Sequence, residues 1–307
     1  HIKNGLLVKP LNTNNYSHGI FDDLLSILSG LVEAIALSLW PHYRSQTNLS
    51  ISHEHLNVAF QSLLSEEWHI FIFSELLLPQ IREIYQLLLP SAKIYSKKEI
   101  PTTVVQTLIV GTGGRCPNHG HCPRDILHHY DDGHLPMLMR NTILQHAGVV
   151  TRDSEVSRPF CPHVTIIQRQ HSRKIKNIEQ IRQFVTHTCS SGSIEIAFLE
   201  SSKGIEQVRL FHKSDIVILV HGGSMANLMF LPTHSAFLLI NPYGMHVLFH
   251  PYIINVADTF RHLNLTFDIL ETFDPHLQGA TPCQKTDFHS CVINHFRSIN
   301  EIEVDYE

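Results

Sequence analysis

Residues 215–232 read Asp-Ile-Val-Ile-Leu-Val-His-Gly-Gly-Ser-Met-Ala-Asn-Leu-Met-Phe-Leu-Pro. The run Ile216–Val220 is too short for a helix and apolar at every position, which is typical of a central strand in a parallel sheet. The next four residues, His221-Gly222-Gly223-Ser224, predict a tight turn in which the backbone can approach a ligand closely. The pattern over residues 225–231 then indicates a short helix, and Pro232 ends it.

This strand–turn–helix junction predicts an anion-binding site. The first N–H groups of a helix point out of its positive end, and here they follow the carboxyl end of a strand. Gly222, Gly223 and Ser224 are therefore candidate phosphate-binding residues, and Asn227 in the first turn of the helix is another. His221 is a candidate side chain facing the ligand. Such junctions also occur in α/β proteins without binding a ligand there, so the surrounding sequence must indicate whether this one is a binding site.

The residues around the junction alternate between strand and helix patterns. The predicted strands are 164–169, 193–199, 216–220 and 236–240, and the predicted helices are 177–188, with Asn177 as its N-cap, 205–212 and 250–263. This alternation at short loop lengths predicts a doubly wound, Rossmann-like α/β domain.

The first half of the chain carries a similar but less regular pattern. Strands are predicted at 6–9, 68–73 and 104–110, and helices at 18–39, 52–64, 80–89 and 136–147. A chain of 307 residues suits about two α/β domains. We therefore predict an N-terminal Rossmann-like domain over residues 1–147 and a C-terminal one over residues 148–307.

Composition narrows the class of protein. The net charge of −5 gives no electrostatic support for a nucleic-acid partner. No window predicts a membrane span, because the most apolar stretch, 24–40, is interrupted by Glu33; the chain begins at His1, so an anchor could precede it. Six cysteines, of which Cys116/Cys122 and Cys283/Cys291 are close pairs, and three N-glycosylation triplets favour an oxidising lumen. The triplets begin at Asn15, Asn48 and Asn264.

Two cofactor classes are disfavoured. No Gly-x-Gly-x-x-Gly follows a predicted strand, which argues against a nicotinamide oxidoreductase. No Asp-x-Asp provides the usual ligands for a metal-bound nucleotide sugar. A metalloprotein centred on four metal-capable side chains within seven residues stays an alternative, although a local disulfide fits that spacing better. Those side chains are Cys116, His119, His121 and Cys122.

Two arginines favour a diphosphate ligand that is held without a metal. Arg169 and Arg173 flank a basic turn after the strand 164–169, at the edge of the sheet where the 221–224 turn also lies. Two guanidiniums and a helix N-terminus together suit a pyrophosphate. The alternative is that both arginines are surface charges.

The motifs in this order resemble glycosyltransferase family 61. The segment 164–177, with its Arg-x-x-Ser-Arg spacing, resembles one family motif, and the 215–232 stretch is similar to the family's His-Gly-Ala-Gly turn and following Leu-Phe-Leu-Pro. Residues 242–244 resemble the segment after the family's next strand. Residues 15–24, which contain His18 and Asp22, resemble a family helix, in the version that the protein O-mannose N-acetylglucosaminyltransferases carry. Gly223 and Ser224 depart from the family turn, and Leu239 replaces a glutamate.

The resemblance implies a GT-B fold of two Rossmann-like domains facing a cleft, and an inverting transfer from a UDP-sugar in the ER or Golgi lumen to a glycoprotein or glycan acceptor. Arg169 and Arg173 would hold the diphosphate beside residues 222–224, and His221 would face the donor. His18 or Asp22 would act as the base from the acceptor domain. N-acetylglucosamine is favoured over xylose, and a family member that binds nucleotide sugar or glycan without turnover is the alternative.

Overall fold

The computed structural model describes two compact units of the chain, which comprise His1–Val150 with Lys203–Ile205, and Thr151–Ser202 with Glu206–Glu307. Within them, the described residues are 2–9, 24, 28, 31, 32, 35, 39, 40, 52–74, 77–102, 104–112, 134–150, 162–189, 192–242, 263–272, 299 and 301–304. Among these residues, no helix combines the length and the apolarity that crossing a bilayer requires.

The first unit contains a four-stranded sheet in which all paired strands are parallel. Its strands are β1 (Ile2–Lys9), β2 (His69–Ile72), β3 (Lys93–Ser96) and β4 (Val105–Thr112), in the order β3-β2-β1-β4. Its helices are α1 (His53–Ser65), α2 (Pro79–Leu88) and α3 (His134–His146). This sheet order is one half of a Rossmann fold, so the α/β class predicted for this part of the chain is confirmed.

Sequence periodicity located most of these elements because their apolar faces are buried. Phe60 and Leu63 of α1 and Ile84 and Leu88 of α2 are fully buried, as expected for amphipathic helices on a sheet. In the predicted helix 18–39, positions 28, 31, 32, 35 and 39 are helical, and Leu24, Leu28 and Leu31 are fully buried. The edge strand β3 was not predicted, because its short sequence Lys-Ile-Tyr-Ser carries little strand signal.

The second unit contains a five-stranded parallel sheet. Its strands are β5 (His163–Ile167), β7 (Ser193–Ala197), β8 (Ile216–Val220), β9 (Ala236–Asn241) and β10 (Thr266–Glu271), in the order β10-β9-β8-β5-β7. Numbered along the chain, that order is 2-1-3-4-5, a doubly wound arrangement. The predicted Rossmann-like half is confirmed, and β10 was not predicted.

Helices α4 (Ile178–Thr188) and α5 (Gly204–Lys213) and a 3₁₀ helix (Gly223–Phe230) connect these strands. One face of the sheet and α4 form an apolar core, whose buried members include Val164, Ile166, Ile181, Ile218, Val220 and Ile240. The predicted central strand β8 is buried from Val217 to Val220, which its unbroken apolar sequence requires.

Asn177 stands at the predicted N-cap position of α4, but it does not cap the helix with its side chain. Its side chain makes no cap hydrogen bond, because it bonds the backbone of Val304 instead. Asn177 Nδ2 donates to Val304 O at 2.7 Å, and Val304 N donates to Asn177 Oδ1 at 3.0 Å. These bonds continue a small parallel ladder between β6 (Lys174–Ile175) and β11 (Glu301–Ile302). A partner so distant in sequence displaces the local cap.

The predicted helix 250–263 lies almost entirely outside the described residues, and so do the two close cysteine pairs. Cys189 is disulfide-bonded.

Candidate functional site

The candidate site lies at the carboxyl edge of the second sheet, between β5 and β8. In the order 2-1-3-4-5 these adjacent strands send their chains to opposite sides, and ligands of open α/β sheets bind outside the carboxyl ends at such a point. Leu219 of β8 pairs with Ile167 of β5 and with Leu239 of β9. Two residues after Ile167, Leu219 and Leu239, the three chain segments reach Arg169, His221 and Asn241 respectively.

Gln168 holds the loop that carries the two arginines. Its side-chain amide donates to Ile175 O and its carbonyl accepts from Ile175 N, both at 2.9 Å, and the same carbonyl accepts from Arg169 N at 3.1 Å. Arg173 N donates to Ile299 O at 3.0 Å, which ties the loop to the segment before β11. Arg173 itself has φ 56°, a left-handed conformation that a non-glycine residue adopts only where its surroundings impose it. The loop is therefore braced at several points.

The two guanidiniums converge on the backbone of the Gly222 turn. Arg173 Nη1 donates to His221 O at 2.8 Å. A Cβ atom added at Gly222 would overlap the Arg169 guanidinium and would lie 3.4 Å from Arg173 Nη1. The absence of a side chain at Gly222 thus lets both cations meet the turn, and the structure brings together the residues that the sequence predicted to lie at this edge.

Burial makes the charged form of both arginines less favourable. Burial first and the Arg169 charge second lower the pKa of Arg173 to about 9, against an opposing effect of Glu200. Burial also lowers the pKa of Arg169, against the opposing effect of Glu200, whose Oε1 lies 4.0 Å from Arg169 Nε. The lowering dominates in both groups, so the Glu200 carboxylate does not outweigh the effect of burial on either pKa. An anion bound between them would stabilise both charges.

His221 is held neutral. Burial first, and then the charges of Arg173 and Arg169, lower its pKa to about 3. Its side chain is 5% exposed and stands on the sheet face that also carries Arg169. A neutral imidazole can donate or accept a hydrogen bond from a ligand, but it cannot supply a proton near neutral pH.

The turn after His221 offers backbone donors. Met225 N donates to Gly222 O at 3.1 Å, the first bond of the 3₁₀ helix, so the N–H groups of Gly223 and Ser224 precede the helical ladder. Asn227 is fully buried one turn further, where its amide donates to Gln207 Oε1 at 2.9 Å. This contact joins the 3₁₀ helix to α5, and a contact from Asn227 to a ligand stays a prediction.

A pocket of about 530 Å³ opens beside Arg169, at the ends of β5 and β7. Its apolar lining comes from Ile178, Ile196 and Phe198, and its polar lining includes Gln170 and Lys174. Phe198 is 42% exposed, so its ring is available to a flat ligand. A cavity with both apolar and polar lining therefore lies beside the two guanidiniums.

Several predicted residues lie outside the described part of the chain. These are His18 and Asp22, the candidate bases, and Cys116, His119, His121 and Cys122, the alternative metal cluster. Within the described ranges, no three histidine, cysteine, aspartate or glutamate side chains gather where they could hold a metal ion.

Sequence reasoning missed two residues of this edge. Gln168 lies in a quoted motif, but its bracing role depends on hydrogen bonds that the loop forms only when folded. Asn241 follows an apolar strand, and its place beside His221 depends on the strand order. A polar side chain at the last position of a buried strand is the signal that would have pointed to both.

A doubly wound parallel sheet with two arginines and the start of a 3₁₀ helix at its switch point defines a Rossmann-like α/β protein. The chain belongs to glycosyltransferase family 61, because the family model Glycosyltransferase 61 matches residues 18–238. The predicted membership of this family is thereby confirmed. No curated protein matches the chain.

Proposed function

We propose that the chain is an inverting glycosyltransferase that moves a sugar from a UDP-sugar to a protein-linked glycan or a protein hydroxyl. N-acetylglucosamine is the favoured sugar and xylose the alternative. Family membership supports the transferase activity. The observation that carries the proposal for the donor is the convergence of the partly buried Arg169 and the buried Arg173 guanidiniums on the Gly222 turn, because two such cations suit a diphosphate. In this proposal the arginines supply the positive charge, and no metal is required.

The pocket beside Arg169 supports a position for the nucleoside. Its apolar wall of Ile178, Ile196 and Phe198 suits the faces of a base, and its polar lining suits the base edge. The diphosphate would then run from this pocket across the ends of β5 and β8.

In the proposed reaction, the acceptor hydroxyl oxygen attacks the anomeric carbon while the bond from that carbon to the β-phosphate oxygen breaks. The electrons of that bond pass to the diphosphate, where Arg169 and Arg173 stabilise the added charge. Attack from the opposite side inverts the anomeric configuration. A base must take the hydroxyl proton, and Asp22 and His18 are our candidates on the strength of the family motif.

The base is tested by turnover. Replacing the base should reduce kcat by about 10²–10⁴-fold without weakening UDP binding. We expect this result for Asp22→Asn or for His18→Ala in an assay of sugar transfer. If both variants keep near-normal turnover, neither residue is the base.

The donor site is tested by calorimetry and thermal shift with UDP and UDP-sugars, in the presence of a metal chelator. A ligand at a hundredfold its Kd should raise the free energy of unfolding by about 2.7 kcal/mol. Arg173→Ala should weaken UDP binding at least tenfold, because a charged hydrogen bond contributes about 1.5–3 kcal/mol.

Lys213→Ala is the matched control for that variant. Lys213 ends α5, which leads into the amino end of β8, and its Nζ pairs with Glu195 Oε2 at 2.5 Å. This change removes a positive charge from the opposite edge of the sheet and should leave UDP affinity unchanged. Equal binding by wild type and Arg173→Ala would contradict the site, and a requirement for metal would contradict the proposed charge balance.

A family member that binds a nucleotide sugar without turnover is the second candidate. It is favoured by Leu239, which is fully buried where the resemblance places a glutamate. UDP binding with neither donor hydrolysis nor transfer would select it.

We further propose the ER or Golgi lumen as the place of action. The disulfide at Cys189 and the three glycosylation triplets support an oxidising compartment.

A further inference from the structure

Asn241 is a buried polar side chain with no assigned role. It is 1% exposed, and neither its side-chain oxygen nor its side-chain nitrogen has a hydrogen-bond partner among the described residues. Its backbone is accounted for, because Thr272 N donates to Asn241 O at 2.9 Å. Leaving a buried amide without a partner is unfavourable, so it calls for an explanation.

The register places Asn241 in the candidate site. Leu239 pairs with Leu219, and His221 N donates to Ile240 O at 3.0 Å, so β8 and β9 stay paired to their carboxyl ends. Because side chains alternate along a strand, Asn241 stands on the same sheet face as Leu239, and His221 stands on that face beside it. The apolar core with α4 uses the opposite face, where Ile240 packs.

Three strand ends therefore present Arg169, His221 and Asn241 in a row on one face. Neighbouring strands are about 4.8 Å apart, so Asn241 lies about 10 Å from Arg169 along the edge. The pocket lined by Phe198 flanks Arg169 on the β7 side, and Asn241 lies on the β9 side. The pocket lies on the α4 face, because Ile178 and Ile196 of its lining pack against that core, so a ligand that reaches both the pocket and Asn241 would cross the carboxyl edge of the sheet at the arginines.

We infer that the side-chain amide of Asn241 binds hydroxyl groups of the sugar to be transferred. An amide offers donors and an acceptor at once, and sugar hydroxyls can pair with both, whereas a fully ionised diphosphate can pair only with the donors. The side-chain amide of Asn241 then becomes hydrogen-bonded when the donor is bound. This inference rests on the proposed UDP-sugar site and adds the place of the transferred sugar within it.

Asn241→Leu tests the inference, because leucine has the same branching without polar atoms. The variant should bind UDP within twofold of wild type and should bind UDP-N-acetylglucosamine or UDP-xylose about tenfold more weakly, as expected for two lost hydrogen bonds. Its Tm without ligand should rise by about 2–4 °C, since the unpaired amide is gone. Asn241→Ala, which adds no bulk, should show the same selective loss of UDP-sugar affinity.

Asn227→Leu is the matched control for stability. Asn227 is also fully buried, but its amide is bonded to Gln207, so this change should lower Tm.

The outcomes separate two failures. If wild type and Arg173→Ala both fail to bind UDP, the donor site itself is wrong, and the inference falls with it. If wild type binds UDP-sugars and Asn241→Leu and Asn241→Ala bind them equally well, the donor site stands and Asn241 has no part in it. An equal loss of UDP and UDP-sugar affinity also overturns the inference, because it would place the nucleoside at Asn241.

Discussion

Arginines at two sheet edges of this protein differ in their burial and in the carboxylates beside them. In the first unit, Arg82 Nη2 donates to Glu99 Oε2 at 2.7 Å, and its Nη1 donates to Ile94 O at 3.3 Å. Glu99 follows the carboxyl end of β3 and also accepts from Ser96 N at 2.7 Å. Its bonds to Arg82 and Ser96 lower the pKa of Glu99 to about 2. Cation and anion are matched there.

In the second unit the balance is different. Arg169 and Arg173 converge on one turn, and burial and mutual repulsion dominate over the effect of Glu200 on the pKa of Arg173. The cation at the β3 edge is hydrogen-bonded to a carboxylate, whereas burial lowers the pKa of both arginines at the β5 and β8 edge, and we propose that a bound anion would favour their charged forms. We take this difference in charge balance as the physical mark of a binding site.

The largest effect should come from replacing Arg169 by methionine, which keeps the length of the side chain and removes the charge. UDP affinity should fall at least tenfold through loss of a charged hydrogen bond. The free energy of unfolding without ligand should rise, or stay within about 0.5 kcal/mol, because a buried like-charge contact is removed. Denaturant unfolding and calorimetry measure the two quantities.

Arg82→Met is the matched change at the other edge. It removes a cation whose carboxylate partner is in place, so it should cost about 0.5–1 kcal/mol of stability and leave UDP affinity unchanged. If Arg169→Met destabilises the protein more than Arg82→Met does, the proposed difference in charge balance between the two edges is wrong.

The β5 and β8 edge could largely be predicted from the sequence, because local patterns specify its elements. The apolar run of β8 and the glycines that follow it specify a strand and a close backbone approach, and the spacing of Arg169 and Arg173 specifies one loop. The ion pair of Arg82 and Glu99 was not predicted, since it joins two elements through their tertiary packing.

The rest depends on long-range pairing. Asn241 stands beside His221 only because β8 and β9 are neighbours in register, and no local pattern fixes that order. Asn177 has the sequence of a helix cap, yet a backbone partner at Val304 takes its side chain. The two-residue strands β6 and β11 are too short to give a periodic signal. Sequence patterns therefore supplied the elements, and the pairing of distant segments supplied the neighbours of the site.

A smaller effect concerns pH. Because burial and the two arginines lower the pKa of His221 to about 3, the unfolded chain binds a proton at this position in mildly acidic solution and the folded chain does not. Stability contributed by the neutral ring is thus complete above the unfolded pKa near 6.5 and is lost as pH falls from there toward 3. Between pH 7 and pH 5, the free energy of unfolding of wild type should therefore fall by about 2 kcal/mol more than that of His221→Leu.

Denaturant unfolding of wild type and His221→Leu at a series of pH values measures this difference, whatever the absolute stability of the variant. Glu99 does not contribute to it, since its pKa lies near 2 and its unfolded pKa is close to 4.3. An anion between the arginines should offset part of their repulsion of an imidazolium, so saturating UDP should raise the pKa of His221 and reduce the pH dependence. Equal slopes for wild type and variant would show that His221 titrates normally in the folded protein. The cations beside it would then be better balanced than their burial implies, and the contrast between the two edges would weaken.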